Sequence, residues 1–137
     1  MASSRSTLWD LPTLLRDVPG RQDFARPLAP FTSLHIGGPA DALVRLETLH
    51  ALRRLRAIAG EHAIPLFILG GGSNLLIRDG GIRGIVVLLR GAFRAFSVEP
   101  CAPAATPVLA HVHVGVGYPL SRLALQLARQ GWSGLEF

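Results

Sequence analysis

Leu69-Gly70-Gly71-Gly72-Ser73-Asn74-Leu75-Leu76-Ile77 sets three glycines, a serine and an asparagine between two apolar, strand-like runs. The residues before it, Ile64-Pro65-Leu66-Phe67-Ile68-Leu69, read as a buried strand, so the glycines fall at a strand's carboxyl end. Glycine carries no Cβ and reaches positive φ without penalty, so consecutive glycines let the backbone curl and expose its N–H groups. Such a nest of N–H groups binds anions, above all the phosphates of a nucleotide or dinucleotide. The competing reading is a tight turn with no ligand; the hydroxyl of Ser73 and the amide of Asn74 at the loop's exit favour the ligand.

Two familiar phosphate loops are excluded. A Walker loop requires a lysine after its last glycine, and this chain has no lysine at all, its 14 basic residues all being arginine. A Rossmann fingerprint requires a third glycine or alanine where helix packs on strand. Counting from Gly70 that place holds Leu75, and counting from Gly115 it holds Leu120. Leu75-Leu76-Ile77 reads as strand, so the loop is expected to join two extended segments.

At 137 residues the chain is sized for one domain. With 49% hydrophobic and 17% charged residues it is globular rather than disordered. The net charge of +5 raises nucleic acid as a partner. The arginines are scattered, however, and Arg53-Arg54-Leu55-Arg56 falls on the expected solvated face of a helix with no aromatics to stack on bases. Nucleic acid is therefore not expected, and the charge suits a small polyanion such as a UDP-sugar. Cys101 is the one cysteine, which rules out an internal disulfide and a thiolate metal cluster. No apolar run is long enough to span a bilayer and the N-terminus lacks a leader's apolar core, so the expected location is cytoplasmic.

Along the chain, Thr7 is expected to cap a helix over residues 8–16, and residues 21–30 look like an extended connector. Strands are expected over 31–36, 40–46, 64–69, 84–89, 92–98 and 108–114, with a loop at 99–107. A helix from 47 to about Gly60 carries the stripe Leu49, Leu52, Leu55 and Ile58, and Gly60 closes it. Another runs from Pro119 to Arg129 with Leu120, Leu123, Leu125 and Leu127 on its apolar face. Strand 40–46, its helix and strand 64–69 make a parallel β-α-β unit. Gly115-Val116-Gly117 repeats the glycine arrangement at a second strand end, and the two loops are positioned to converge on one diphosphate.

No catalytic group is identified, and no metal site. His111 and His113 share a strand face without further ligands. Cys101 has no activating histidine by sequence. Asp79 shapes its turn, and Glu136 is a weak candidate for lining a site.

Three segments taken in order carry a family resemblance. They are Phe31-Thr32-Ser33-Leu34-His35-Ile36-Gly37-Gly38-Pro39-Ala40-Asp41, then Leu69 to Ile77, then Arg78-Asp79-Gly80-Gly81-Ile82-Arg83-Gly84-Ile85-Val86. With Gly115-Val116-Gly117 and Gly131-Trp132-Ser133-Gly134-Leu135-Glu136-Phe137, the chain resembles the UDP-N-acetylenolpyruvoylglucosamine reductase (UDP-N-acetylmuramate dehydrogenase) family from about Phe31 onward. The resemblance implies an α+β fold, the FAD-binding domain of the vanillyl-alcohol oxidase and p-cresol methylhydroxylase type. That fold comprises a β-α-β subdomain and the start of a second α+β subdomain. Residues 1–30 would be an N-terminal helix and connector, and 31–137 the FAD-binding domain. Gly70, Gly71, Gly72, Ser73, Asn74 and Leu75 would bind the cofactor's diphosphate, with Gly115 and Gly117 near the diphosphate or ribityl chain.

The implied activity is NADPH-dependent reduction of the enolpyruvyl UDP-sugar, a step of peptidoglycan synthesis and so of cell-wall biogenesis. Phe31 departs from the family's usual Asn or Tyr. The family's Gly-Ile-Pro-Gly-like segment and its catalytic arginine, serine and glutamate are expected beyond Leu135-Glu136-Phe137, so this stretch is expected to be a truncated, cofactor-binding portion inactive alone. Two alternatives stay open: an FAD-binding part of a related flavin oxidase, and a non-catalytic basic nucleotide-binding module.

Overall fold

The computed structural model describes residues 8–101 and 109–135. A four-stranded sheet in the order β1-β2-β4-β3 is joined to a two-stranded sheet, β5-β6. The strands are β1 (Arg21–Pro27), β2 (Pro39–Leu46), β3 (Leu66–Ile68), β4 (Ile82–Leu89), β5 (Phe96–Pro100) and β6 (Ala110–Val114). The helices are α1 (Leu11–Leu14), α2 (Leu49–Glu61) and α3 (Leu120–Arg129).

β4 is the centre of the larger sheet. It pairs in parallel with β2 on one side and β3 on the other, while β1 runs antiparallel to β2 at the edge. The run Ile85-Val86-Val87-Leu88-Leu89 is buried throughout because both faces of the sheet are covered. Ile85, Val87 and Leu89 face α1 and α2, meeting Leu11, Leu15 and Leu55. Val86 and Leu88 face the other way, against Leu28, Leu43, Leu69 and Ile77. The expected β-α-β unit is present as β2-α2-β3, with β4 inserted between its two parallel strands.

α2 begins where Thr48 accepts a hydrogen bond from the Ala51 amide through its hydroxyl, 3.2 Å. Its buried positions are Ala51, Leu55 and Ala59, whereas Leu49 is half exposed. The expected Leu49-Leu52-Leu55-Ile58 stripe is thus rotated toward small residues that let the helix lie close to the sheet. Gly60 does not close the helix. His62 is the C-cap, and Ala63 makes the left-handed exit at φ +50°.

Other expectations are corrected. Residues 31–36 are not a strand. Ala29–Phe31 forms a 3-10 turn, and the Thr32 hydroxyl lies within reach of the Ala29 and Ile36 carbonyls, 3.2 and 2.8 Å. Such side-chain bonds compete with strand pairing. Residues 21–30 are no free connector, since 21–27 form β1. The strand at 64–69 shortens to the edge strand β3, leaving Phe67 and Ile68 exposed rather than buried. Leu75-Leu76-Ile77 is no strand; only Ile77 is buried there. Gly91–Arg94 is a 3-10 turn, so β5 begins later than residue 92. α1 is shorter than expected and is capped by Asp10, whose carboxylate accepts from the Thr13 amide. Thr7, residues 102–107 of the expected loop, and Glu136 lie outside the described residues.

α1 and β1 are tied to the rest by specific bonds. Trp9 donates its indole N–H to the His62 carbonyl, 3.1 Å, and Arg54 donates to the Asp17 carbonyl, 3.1 Å. Arg45 on β2 holds Asp23 on β1 at 2.6 Å. In the smaller lobe α3 buries Leu123 and Leu127, and Trp132 donates its backbone N–H to the Leu127 carbonyl, 2.9 Å. Leu123, Leu127 and Trp132 share a cavity of about 400 Å³ with Val112 and Val114 of β6.

Two stability outcomes follow. Leu55 is fully buried at the centre of the α2 face, so Leu55→Ala will cost about 2–5 kcal/mol in urea unfolding. Burial pushes the Asp23 carboxyl up, but the hydrogen bond from Arg45 and the charges of Arg21 and Arg45 outweigh it, so it titrates below its ordinary range. A carboxyl depressed in the folded state stabilises fully above its unfolded value of about 3.9, and the contribution is lost as pH falls through the folded value. Asp23→Asn will therefore lower the melting temperature at neutral pH and converge on the parent as the pH is taken below about 4.

Candidate functional site

The carboxyl ends of the parallel strands β3 and β4 open into a cleft of about 360 Å³. Crevices outside the carboxyl ends of parallel strands are where open α/β sheets bind ligands. The floor is Ile68 and Leu69 from β3 and its exit, with Leu88 and Leu89 from β4. One wall is Gly70-Gly71, another is Phe31-Thr32-Ser33, and the far side is Val116-Gly117-Tyr118-Pro119. The two glycine segments therefore meet at one cavity, although they belong to different sheets.

The glycines do different jobs. Gly70 and Gly71 are exposed, and a Cβ on either would touch nothing. Their N–H groups have no protein acceptor among the described residues. Gly72 is the loop's anchor. It is buried at φ +68°, a Cβ there would run into the Phe31 carbonyl, and its own carbonyl accepts from the Ser33 amide at 3.1 Å. Ser73, Asn74 and Leu75 are exposed beyond the anchor and do not line the cleft.

Gly115 and Gly117 donate their N–H groups to Ala95 and Phe93, both at 2.8 Å. A Cβ on Gly115 would strike the Phe93 carbonyl, and one on Gly117 would approach the Leu89 carbonyl at 2.8 Å. Those two glycines let the lobes approach closely, and their amides are already engaged. Only Gly117 lines the cleft.

Sequence reasoning missed the cations. Arg90 follows β4 and Arg94 closes the adjoining 3-10 turn, and both line the cleft. Arg90 donates to the Leu89 carbonyl at 3.0 Å, and Arg94 to the Gly117 carbonyl at 3.1 Å. Neither has a carboxylate partner among the described residues. Burial lowers the proton affinity of Arg90, and the charges of Arg94 and Arg45 act in the same direction; a guanidinium stays charged regardless. The available signal was an arginine directly after a fully apolar strand, with a second four residues on. Two aromatic residues also belong to the cleft. Phe31 has the Arg45 guanidinium 5.7 Å from its centroid, and Tyr118 bonds Gln126 and meets Phe96 edge-on at 5.2 Å.

The remaining candidates do not gather here. His111 and His113 are exposed on β6, with His113 at 3.6 Å from Glu99. Cys101 is a free, half-buried thiol at the end of β5. Among the described residues no group of three or more His, Cys, Asp or Glu is placed to hold a metal ion. No helix among them is long and apolar enough to cross a membrane.

Known proteins resemble this chain in sequence and fold. UDP-N-acetylenolpyruvoylglucosamine reductase 2 of Symbiobacterium thermophilum is 46% identical over 127 residues, covering 93% of this chain and 38% of that protein. The crystal structure of a UDP-N-acetylenolpyruvylglucosamine reductase from Thermus caldophilus superimposes with a TM-score of 0.58 at 32% identity, covering 85% of this chain and 35% of the other. BBE-like 1 of Physcomitrella patens superimposes with a TM-score of 0.59 at 20% identity, over 89% of this chain and 26% of the other, which shows a shared fold. The chain thus spans a little over a third of the length of the reductases it matches, and its α+β fold is that of vanillyl-alcohol-oxidase-type flavoproteins. The FAD binding domain family matches residues 40–137, including both glycine segments and the strands β3, β4, β5 and β6, and the chain belongs to that family.

Proposed function

We propose that this chain binds FAD with the dinucleotide's diphosphate against Gly70-Gly71, as the cofactor-binding portion of an NADPH-dependent UDP-N-acetylenolpyruvoylglucosamine reductase. The observation that carries the reading is the pair of open glycine amides beside Arg90 and Arg94 at the carboxyl ends of β3 and β4. Amide donors and guanidinium groups are the two donor types that suit phosphate oxygens. The cavity is near the lower limit for ligand sites, so it fits a diphosphate and its neighbouring groups and is small for a whole dinucleotide. Ser73, Asn74 and Leu75 belong to the proposed cofactor loop beyond its Gly72 anchor, and Gly115 and Gly117 act by holding the far wall in place.

FAD, when bound, supplies the hydride carrier between NADPH and the enolpyruvyl double bond. The residues of this chain bind and orient it. The proposed domain is 31–137, with 1–30 flanking it through α1 and β1. The reaction would furnish UDP-N-acetylmuramate for peptidoglycan in the cytoplasm, with the UDP-sugar as substrate and no nucleic acid as partner.

The test is FAD titration of the purified chain, followed by flavin absorbance and quenching of flavin fluorescence. Saturable binding supports the reading, and a folded chain that takes up no FAD overturns it. NADPH-dependent reduction of the enolpyruvyl sugar, assayed in a protein of the relatives' length, separates the reductase from a related oxidase. Gly71→Val sharpens the result. A side chain there meets no protein atom, so the melting temperature will hold while FAD affinity falls by about tenfold or more as the backbone is kept from the ligand.

A further inference from the structure

We infer that Arg90 and Arg94 form a diphosphate-selective clamp, so that the cleft discriminates dinucleotide from uncharged flavin by the anion rather than by the ring. The inference rests on the FAD reading above and adds to it the residues that set ligand choice. Most cations of this protein are accounted for by solvent or by carboxylates. Arg21 and Arg45 meet Asp23, Arg54 meets Asp17, and Arg83 meets Asp41. Arg53 and Arg56 lie exposed on α2.

Arg90 and Arg94 differ on both counts. They are partly buried, unpaired with any carboxylate among the described residues, and directed to the same cavity as Gly70 and Gly71. Each uses one donor on a backbone carbonyl, which fixes the guanidinium and leaves further N–H groups for a ligand. Like charges held together in a partly desolvated cleft oppose each other, and the opposition also reaches Arg90 from Arg45. A diphosphate relieves it and accepts bidentate bonds from both planar forks. An isoalloxazine with its ribityl chain alone offers no such charge.

The experiment measures Kd for FAD, FMN and riboflavin, with ADP and inorganic pyrophosphate as competitors, on three forms of the full chain. These are the parent, the double variant Arg90→Gln/Arg94→Gln, and a charge-matched control, Arg53→Gln/Arg56→Gln. In the parent, FAD will bind more tightly than riboflavin, its affinity will fall with added salt, and ADP will displace it. The double variant will lose about tenfold in FAD affinity per arginine, with riboflavin affinity unchanged. The control will keep the parent's preference.

Equal losses in the double variant and the control would assign the effect to net charge and overturn the clamp. So would an unchanged FAD-to-riboflavin ratio in the double variant. Should that variant not fold, salt-insensitive FAD binding by the parent overturns the clamp by itself. A parent that binds no flavin, by contrast, removes the FAD reading and the clamp together.

Discussion

The contact on which the site depends is the one between Gly72 and the Phe31-Thr32-Ser33 backbone. At φ +68°, with the Phe31 carbonyl where a Cβ would sit, only glycine fits. The Ser33 amide then binds the Gly72 carbonyl, so two segments forty residues apart in sequence are locked main chain to main chain. Because the anchor holds the third glycine, the first two are left with free amides over the ends of β3 and β4. A loop fixed at one end and open at the other is preorganised for a ligand, and little ordering entropy is lost on binding.

The same device recurs along the larger sheet. Gly81 sits against the Pro39 backbone and Gly38 against that of Asp79, while the Gly38 amide donates to the Arg78 carbonyl at 3.0 Å. These contacts join the approach to β2 with the approach to β4, the two strands that supply half of the buried core residues. Asp41 adds a polar tie at the same end, its carboxylate accepting from the Gly84 amide at 2.9 Å and from Arg83 at 3.1 Å. The family resemblance rests heavily on these residues, and the structure gives a steric reason for their glycines.

What could be read in the sequence was what local pattern encodes. The fully apolar run at 85–89, the amphipathic helix expected from 47 to about 60 and the glycine segment at the end of β3 are all local signals, and each is present at about its expected place. The failures have tertiary causes. β1 escaped notice because Arg21-Gln22-Asp23-Phe24-Ala25-Arg26-Pro27 is an edge strand without apolar alternation, broken by Ala25 at φ +49°. Residues 31–36 look strand-like, but Thr32 directs its hydroxyl into its own turn. The cations of the cleft escaped notice because the one local signal, an arginine directly after the apolar run 85–89 with another four residues on, does not say what the two side chains face. Their role comes from a strand end in one sheet meeting a glycine bend in the other. Gly115 and Gly117 looked like a second anion nest, and their amides are engaged by the Ala95 and Phe93 carbonyls.

The positions of the two tryptophans give the molecule a pair of separate optical reporters. Trp9 packs on the α1–α2 side of the larger sheet and is bonded to the end of α2. Trp132 belongs to the smaller lobe, beside Leu123 and Leu127. Each lobe therefore carries its own fluorophore, with the cleft between them. The emission of the two indoles, separated by replacing one at a time, distinguishes melting of the two lobes as one cooperative unit from loosening of the smaller lobe first.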